Sequence, residues 1–259
     1  MSRRMLLACA VCVLAAAIGG GVALASALRA SGAGHAVRAA PPAPAPARNV
    51  TGWPFDRPVP AMRLIDSRGR ATSLTALRGR VVVLAPSMTL CHEVCPMTTG
   101  ALEMVQRTLA ADGLSDRTAV VEVTVDPWRD SPARLRAYAR LTGARFALLT
   151  GTAEEVRRFW TFFGIGFKRV KQGNPPDIDW WTHRPESFDV EHADGVFLID
   201  ARGRERTYFP GPAGMRGHLS QQLRSLLSAD GRRNLAHPLG AWTPSQVLAG
   251  VRRLLGRSG

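Results

Sequence analysis

The chain predicts a mixed α/β fold for residues from about 51 onward, with one central sheet flanked by helices. Three observations carry that reading. Two short runs rich in branched apolar residues, Val81 to Ala85 and Thr118 to Val125, have the length and composition of buried central strands. Segments with helix start signals alternate with them. A strand pair joined by a polar Asp-x-x-Gly turn precedes this core, and another follows it.

The elements follow in order. Met62 to Ile65 and Ala71 to Leu77 flank Asp66-Ser67-Arg68-Gly69 and read as a hairpin. The strand Val81 to Ala85 comes next, then a helix from Pro96 to Ala111 closed by Asp112-Gly113. After the strand from Thr118, Ser131 and Pro132 open a helix to about Leu141, and Phe146 to Leu149 is a strand. Thr152 and Glu155 form a capping box for a helix to about Phe163. Val196 to Ile199 and Arg204 to Phe209 make the second hairpin, turning at Asp200 to Gly203. Thr243, Pro244 and Gln246 start a last helix through about Leu255. The order β-β-β-α-β-α-β-α-β-β-α, with central βαβ units and a late antiparallel hairpin, is that of a thioredoxin-like fold.

Three regions divide the chain. Arg3 and Arg4 precede Met5 to Leu28, a stretch without charged residues that is long enough to cross a hydrocarbon core of about 30 Å. Ala23-Leu24-Ala25 resembles a cleavage site, but the apolar stretch exceeds the roughly 7–15 residues of a removed signal. Residues 1–28 are therefore expected to be an uncleaved single-pass anchor in the cell membrane. Its basic flank keeps the N-terminus cytosolic and places the rest on the extracytoplasmic, periplasmic side. Cys9 and Cys12 lie inside this span as packing residues. Leu6-Leu7-Ala8-Cys9 fails as a lipidation site because the apolar region follows it. Residues 29–50 form an Ala/Pro-rich tether, and residues 51–259 one domain without internal repeats.

The formal charge of +14 raises nucleic acid as a partner. No nucleic acid is expected, because the arginines are scattered and no aromatic-interleaved basic patch or known binding motif is present. A mild attraction to an anionic membrane surface is what the charge supports.

Chemistry concentrates in Cys91-His92-Glu93-Val94-Cys95-Pro96, directly after the first central strand. Pro96 suits the first helical position, and the residue before a proline avoids the α region. The two cysteines thus belong to a strand-to-helix loop, with Cys95 near the N-cap. There the helix dipole would favour its thiolate. Thiolates bind soft metals, attack disulfides, or join as a disulfide. The plain alternative is that two cysteines pack as small apolar residues. An exported pair so close in sequence closes too small a loop to staple a fold usefully, which leaves metal binding and redox chemistry open.

Four blocks of the chain resemble the Sco/SenC family, thioredoxin-like proteins linked to copper delivery for cytochrome c oxidase. Leu74 to Leu84 looks like the family's lead-in to the first central strand. Thr89-Leu90-Cys91-His92-Glu93-Val94-Cys95-Pro96 matches its T-x-C-x-x-x-C-P loop. Val123-Thr124-Val125-Asp126-Pro127-Trp128-Arg129-Asp130-Ser131-Pro132 is similar to its S-V-D-P-x-R-D-T-P stretch, and Glu191-His192 with Val196 to Gly203 to its histidine-then-strand block. The resemblance implies that Cys91, Cys95 and His192 bind one copper ion per monomer, as Cu(I) or Cu(II). It implies a copper donor and a thiol reductant outside the cytosol, with subunit II of cytochrome c oxidase, at its CuA site, as recipient. Glu191 stands where the family usually has Asp, and Ala193 where it often has Ser, so the surroundings of the histidine are expected to differ. Residues 171–189 and 211–240 read as insertions without a legible role.

Other candidates are weaker. Met88, Met97 and His92 are expected to pack or face solvent, and His183 to be a solvated loop residue. Asp126 and Asp130 are expected to brace the site; His35, His218 and His237 are incidental. A copper metallochaperone, not an enzyme, is the leading expectation. The alternative is a thiol–disulfide reductase using Cys91 and Cys95 as its redox-active pair. A purely structural assembly module would leave both thiols without purpose. A thiol peroxidase is excluded by spacing, since Thr89 stands two residues before Cys91 where that pattern requires three.

Overall fold

The computed structural model describes residues 52–215, 219–237 and 240–256. The expected anchor and tether, with Cys9, Cys12, His35 and His218, lie outside them. Among the described residues no helix is long and apolar enough to cross a membrane.

The described residues hold ten strands: β1 (Trp53–Pro58), β2 (Leu64–Asp66), β3 (Ala71–Thr72), β4 (Val81–Ser87), β5 (Thr118–Thr124), β6 (Ala147–Thr150), β7 (Phe167–Val170), β8 (Asp189–His192), β9 (Gly195–Ile199) and β10 (Arg204–Pro210). The helices are α1 (Cys95–Ala111), α2 (Pro132–Thr142), α3 (Ala153–Phe163), α4 (Gln221–Ser225), α5 (Ala229–Ala236) and α6 (Pro244–Gly256). Eight strands form one sheet in the order β1-β10-β9-β4-β5-β6-β2-β3, while β7 and β8 pair separately. β4, β5 and β6 run parallel; β9 lies antiparallel to β4, and β2 to β6. This is the expected mixed sheet flanked by helices.

Alternation along β4 decides which helices cover which face. Val81, Val83 and Ala85 pack with Leu102, Val105 and Leu109 of α1 and with Val247, Val251 and Leu254 of α6. Val82 and Leu84 point the other way, into Val156, Phe159, Trp160 and Phe163 of α3. Local signals set several of the element ends. The capping box of α3 forms, with the Glu155 N–H donating to Thr152 Oγ1 and the Thr152 N–H to Glu155 Oε2. Asp66 and Asp200 each accept two backbone N–H groups through one carboxylate oxygen, which sets both hairpin turns. Gly69 and Gly203 take the positive φ values of 83° and 77° that those turns require.

Some elements differ from expectation. The strand from Ala71 ends at Thr72, and Leu74–Leu77 is a 3-10 turn. The Ser73 and Thr75 hydroxyls bond each other at 2.7 Å beside it, a local alternative to the ladder. β1 was not foreseen: it pairs antiparallel with β10, and its Pro54 and Pro58 suit a sheet edge. The two apparent insertions are built into the fold. Residues 177–186 fold back through an Ile178–Pro185 bridge, and residues 219–237 supply α4 and α5.

Candidate metal centre

The parallel strands β4 and β5 end side by side at Ser87 and Thr124, and the cysteine loop leaves from that end of the sheet. α1 begins one residue earlier than expected: Val94 is the N-cap, Cys95 the first helical residue and Pro96 the second. Val94 has no capping side chain. Instead the N–H groups of Val94 and Cys95 turn back to Cys91 Sγ, at 3.5 and 3.3 Å. Cys91 sulfur thereby occupies the place of a capping acceptor.

This reverses the expected roles of the two thiols. A hydrogen bond from the Cys95 thiol, the neighbouring His192 ring and the loop N–H groups hold Cys91 down to about 6, against its burial. Cys95 is pushed well above the usual thiol value, because it donates to Cys91, is buried, and lies near negative charge on Cys91 and Asp194. Cys91 is thus the thiol of the pair whose ionisation is favoured. Helix position alone had pointed to Cys95; the Cys95 thiol donating to Cys91, with the His192 ring and the loop N–H groups beside it, decides otherwise. Both cysteines are unpaired and buried.

His192 arrives from a distant part of the chain. It ends β8, whose partner β7 places Phe167 opposite it. Trp128, from the loop after β5, meets Phe167 and Phe188 edge-on at 5.8 and 6.2 Å. The Arg129 guanidinium lies 4.1 Å from the Phe188 ring centre and donates to the Phe188 carbonyl. These contacts fasten the β7–β8 hairpin over the end of the sheet. His192 Nε2 then stands 3.8 Å from Cys95 Sγ. Its Nδ1 faces the Ala193 carbonyl at 3.1 Å and Asp194 Oδ1 at 3.6 Å. A proton on Nδ1 serves those oxygens and leaves the Nε2 lone pair toward the sulfurs. Glu191 turns outward to Lys168 at 3.2 Å, so Asp194 is the carboxylate beside the imidazole. Sequence reasoning missed Asp194; an acid two residues after a candidate ligand was the available signal.

The D-P-x-R-D stretch braces the site, as expected. Asp130, fully buried, accepts from the Thr89 N–H at 3.2 Å and from the Thr89 and Thr124 hydroxyls at 2.6 Å each. That ties the start of the cysteine loop to the end of β5. Arg129 joins Asp126 to Glu186 at 2.6 and 3.1 Å, linking this stretch to the segment before β8.

Two thiols and one imidazole thus converge, with carboxylates behind them. Among the described residues no three Cys, His, Asp or Glu side chains form a ready-made cage. The pairs Cys91–Cys95 and Cys95–His192 are in place. Such donors suit a soft, thiophilic cation, and the thiol pair alone suits disulfide exchange.

Residues 56–228, more than half of the chain, match the SCO1/SenC family model. The chain belongs to the SCO1/SenC family. It is 25% identical over 158 residues to a SCO2-like protein of Rickettsia prowazekii, covering 61% of this chain and 68% of that one. The structure of Bradyrhizobium japonicum ScoI with copper bound aligns with a TM-score of 0.52 at 22% identity, over 75% of this chain and 98% of that one. The solution structures of apo Sco1 from Thermus thermophilus align with a TM-score of 0.54 at 22% identity, over 79% and 96% of the two chains. These structural likenesses show a shared fold.

In this SCO1/SenC protein the weaker candidates find other employment. Met88 and Met97 are buried in the core. His92 has both ring nitrogens engaged, Nδ1 with the Leu226 carbonyl and Nε2 with Glu186, each at 2.9 Å. Burial opposes its charge, but Glu186, the Leu226 carbonyl and Asp177 outweigh that and raise it to about 9. A protonated, doubly bonded imidazole has no lone pair for a metal. His183 and His237 are exposed on loops.

Proposed function

We propose that this protein is a membrane-anchored copper metallochaperone that carries one copper ion on Cys91, Cys95 and His192. Its recipient is the CuA site in subunit II of cytochrome c oxidase, with the carrier domain on the extracytoplasmic side. The observation that carries the reading is the approach of His192 Nε2 to Cys95 Sγ at 3.8 Å, beside the Cys91 thiolate. Two sulfurs and one nitrogen suit Cu(I), tolerate Cu(II), and leave a side open for an acceptor's ligands. Family membership and the copper-bound ScoI structure of similar fold support the choice of metal. Copper is cargo here: it enters and leaves unchanged, and the protein supplies ligands and orientation.

The test is a copper titration of the reduced domain from about residue 50 onward, repeated with Cys91→Ala and Cys95→Ala. One equivalent bound by the parent, and loss of that site in each variant, is expected. Unchanged stoichiometry and affinity in both variants would remove the assignment.

The opposite shifts of the two thiols favour a second reading, a thiol–disulfide reductase. The Cys91 thiolate would attack an acceptor disulfide, and Cys95 would then resolve the mixed disulfide. That reading gives His192 no required part. An oxidase that matures normally when the carrier retains its thiols but cannot hold copper would favour it.

A further inference from the structure

The loop that carries Cys91 and leads into Cys95 has no regular structure before α1, yet it is gripped from two sides. On one side, the segment before β8 reaches it twice. The Trp180 indole N–H donates to the Thr89 carbonyl at 2.8 Å, and Glu186 pairs with His92 Nε2 at 2.9 Å. Trp180 is itself anchored, because adjacent Asp179 takes both arms of the Arg134 guanidinium, at 2.9 and 2.7 Å. On the other side, the Leu226 carbonyl meets His92 Nδ1, and the Ser228 N–H donates to the His92 carbonyl at 2.8 Å.

Gly231 supplies an independent sign that the second grip is built in. It lies inside α5, where glycine costs about 1 kcal/mol relative to alanine, and its φ is not positive. A Cβ there would overlap the His92 carbonyl oxygen and crowd Glu93 Cα. Glycine is needed for α5 to lie directly on the cysteine loop.

We infer that His92 is a positioning residue: it clamps the thiol loop between residues 171–189 and 219–237 and fixes the geometry of Cys91 and Cys95. These lie within the segments 171–189 and 211–240 that read from sequence as insertions, and they meet at this one side chain. The clamp stands on contacts alone; its effect on cargo rests on the copper reading above. The clamped loop directs the Val94 and Cys95 N–H groups at Cys91 sulfur, which favours the reduced pair. Stabilising the reduced form makes a dithiol the stronger oxidant. Loosening the clamp should therefore favour the disulfide.

The test compares the parent domain with His92→Ala, which removes the ring, and Gly231→Ala, which pushes the loop from the other side. Each is equilibrated with glutathione disulfide. Both protein thiols lose their protons and two electrons, forming the Cys91–Cys95 disulfide as two glutathione molecules are released. The disulfide fraction is read by alkylation and mass shift, and amide hydrogen exchange is followed at Cys95. Both variants should shift the equilibrium toward disulfide by about tenfold and exchange the Cys95 amide faster, with His92→Gln restoring part of each effect. Cu(I) should also leave His92→Ala for a chelator about 10–100-fold faster. An equilibrium and an exchange rate within twofold of the parent in both variants would overturn the inference. Should either variant fail to fold, Glu186→Gln decides by the same two readings. If parent and variants alike bind no copper, the copper reading fails while the redox and exchange readings still judge the clamp.

Discussion

His192 Nε2 lies 3.8 Å from Cys95 Sγ although 97 positions separate the two residues in the chain. The contact exists because β8 is carried to the sheet's end by aromatic packing around Trp128, and α1 starts at that same end.

Replacing His192 with Ala should leave disulfide formation between Cys91 and Cys95 intact, since neither sulfur needs an imidazole for it. Copper affinity should fall by at least about 100-fold, more than loss of an outer partner of a ligand costs. Competition with a chelator of known affinity, in both oxidation states, measures this. Unaltered affinity would show that the third ligand is another residue.

Asp194 faces the inner nitrogen of that ring at 3.6 Å. Asp194→Asn should lower copper affinity about tenfold with little change in thermal stability, because it weakens the orientation of the imidazole without removing a ligand. Equal affinity in the two proteins would assign the orienting role to the Ala193 carbonyl alone.

Asp130 is the strongest structural brace. Asp130→Ala leaves the Thr89 N–H and two buried hydroxyls without their acceptor. Each orphaned group costs about 1–3 kcal/mol, so a loss of at least roughly 3 kcal/mol is expected from urea unfolding. A loss under about 1 kcal/mol would mean that water or a neighbour replaces the carboxylate.

Glu122 supplies a pH test away from the thiols. It is buried on β5 and accepts from the Ser87 and Thr99 hydroxyls at 3.0 and 2.9 Å, yet burial pushes it up to about 8, well above the usual carboxylate range. The folded state therefore binds a proton more tightly than the unfolded one. This contribution is fully present below about pH 4.5 and is lost as pH rises toward 8. Glu122→Gln removes the titration, so its stability relative to the parent should grow across that window, by at most about 1.4 kcal/mol per pH unit. Parallel stability curves for the two proteins would refute it.

Much of the fold was legible because its signals are local. Thr152 and Glu155 bond each other across one helical turn, and Asp66 and Asp200 fold back on their own next residues; no distant partner is needed. The valine runs of β4 and β5 announce burial by composition alone. β1 was not legible, because its partner β10 lies about 150 residues further along and edge prolines conceal the pattern.

The sequence by itself determined which donors exist, two thiols before a helix and a histidine before a strand, since residue identity sets the chemistry on offer. Only the tertiary structure decided how they divide the work. It favoured ionisation of Cys91 over Cys95, because folding sets the Cys95 thiol, the His192 ring and the loop N–H groups beside the Cys91 sulfur. It set Asp194 rather than Glu191 beside the imidazole, because side chains alternate across β8 and Glu191 faces Lys168. It also engaged both ring nitrogens of His92, with Glu186 and Leu226, partners 94 and 134 positions away. Contacts of that range form only when separate segments pack on one sheet, and no local pattern encodes them.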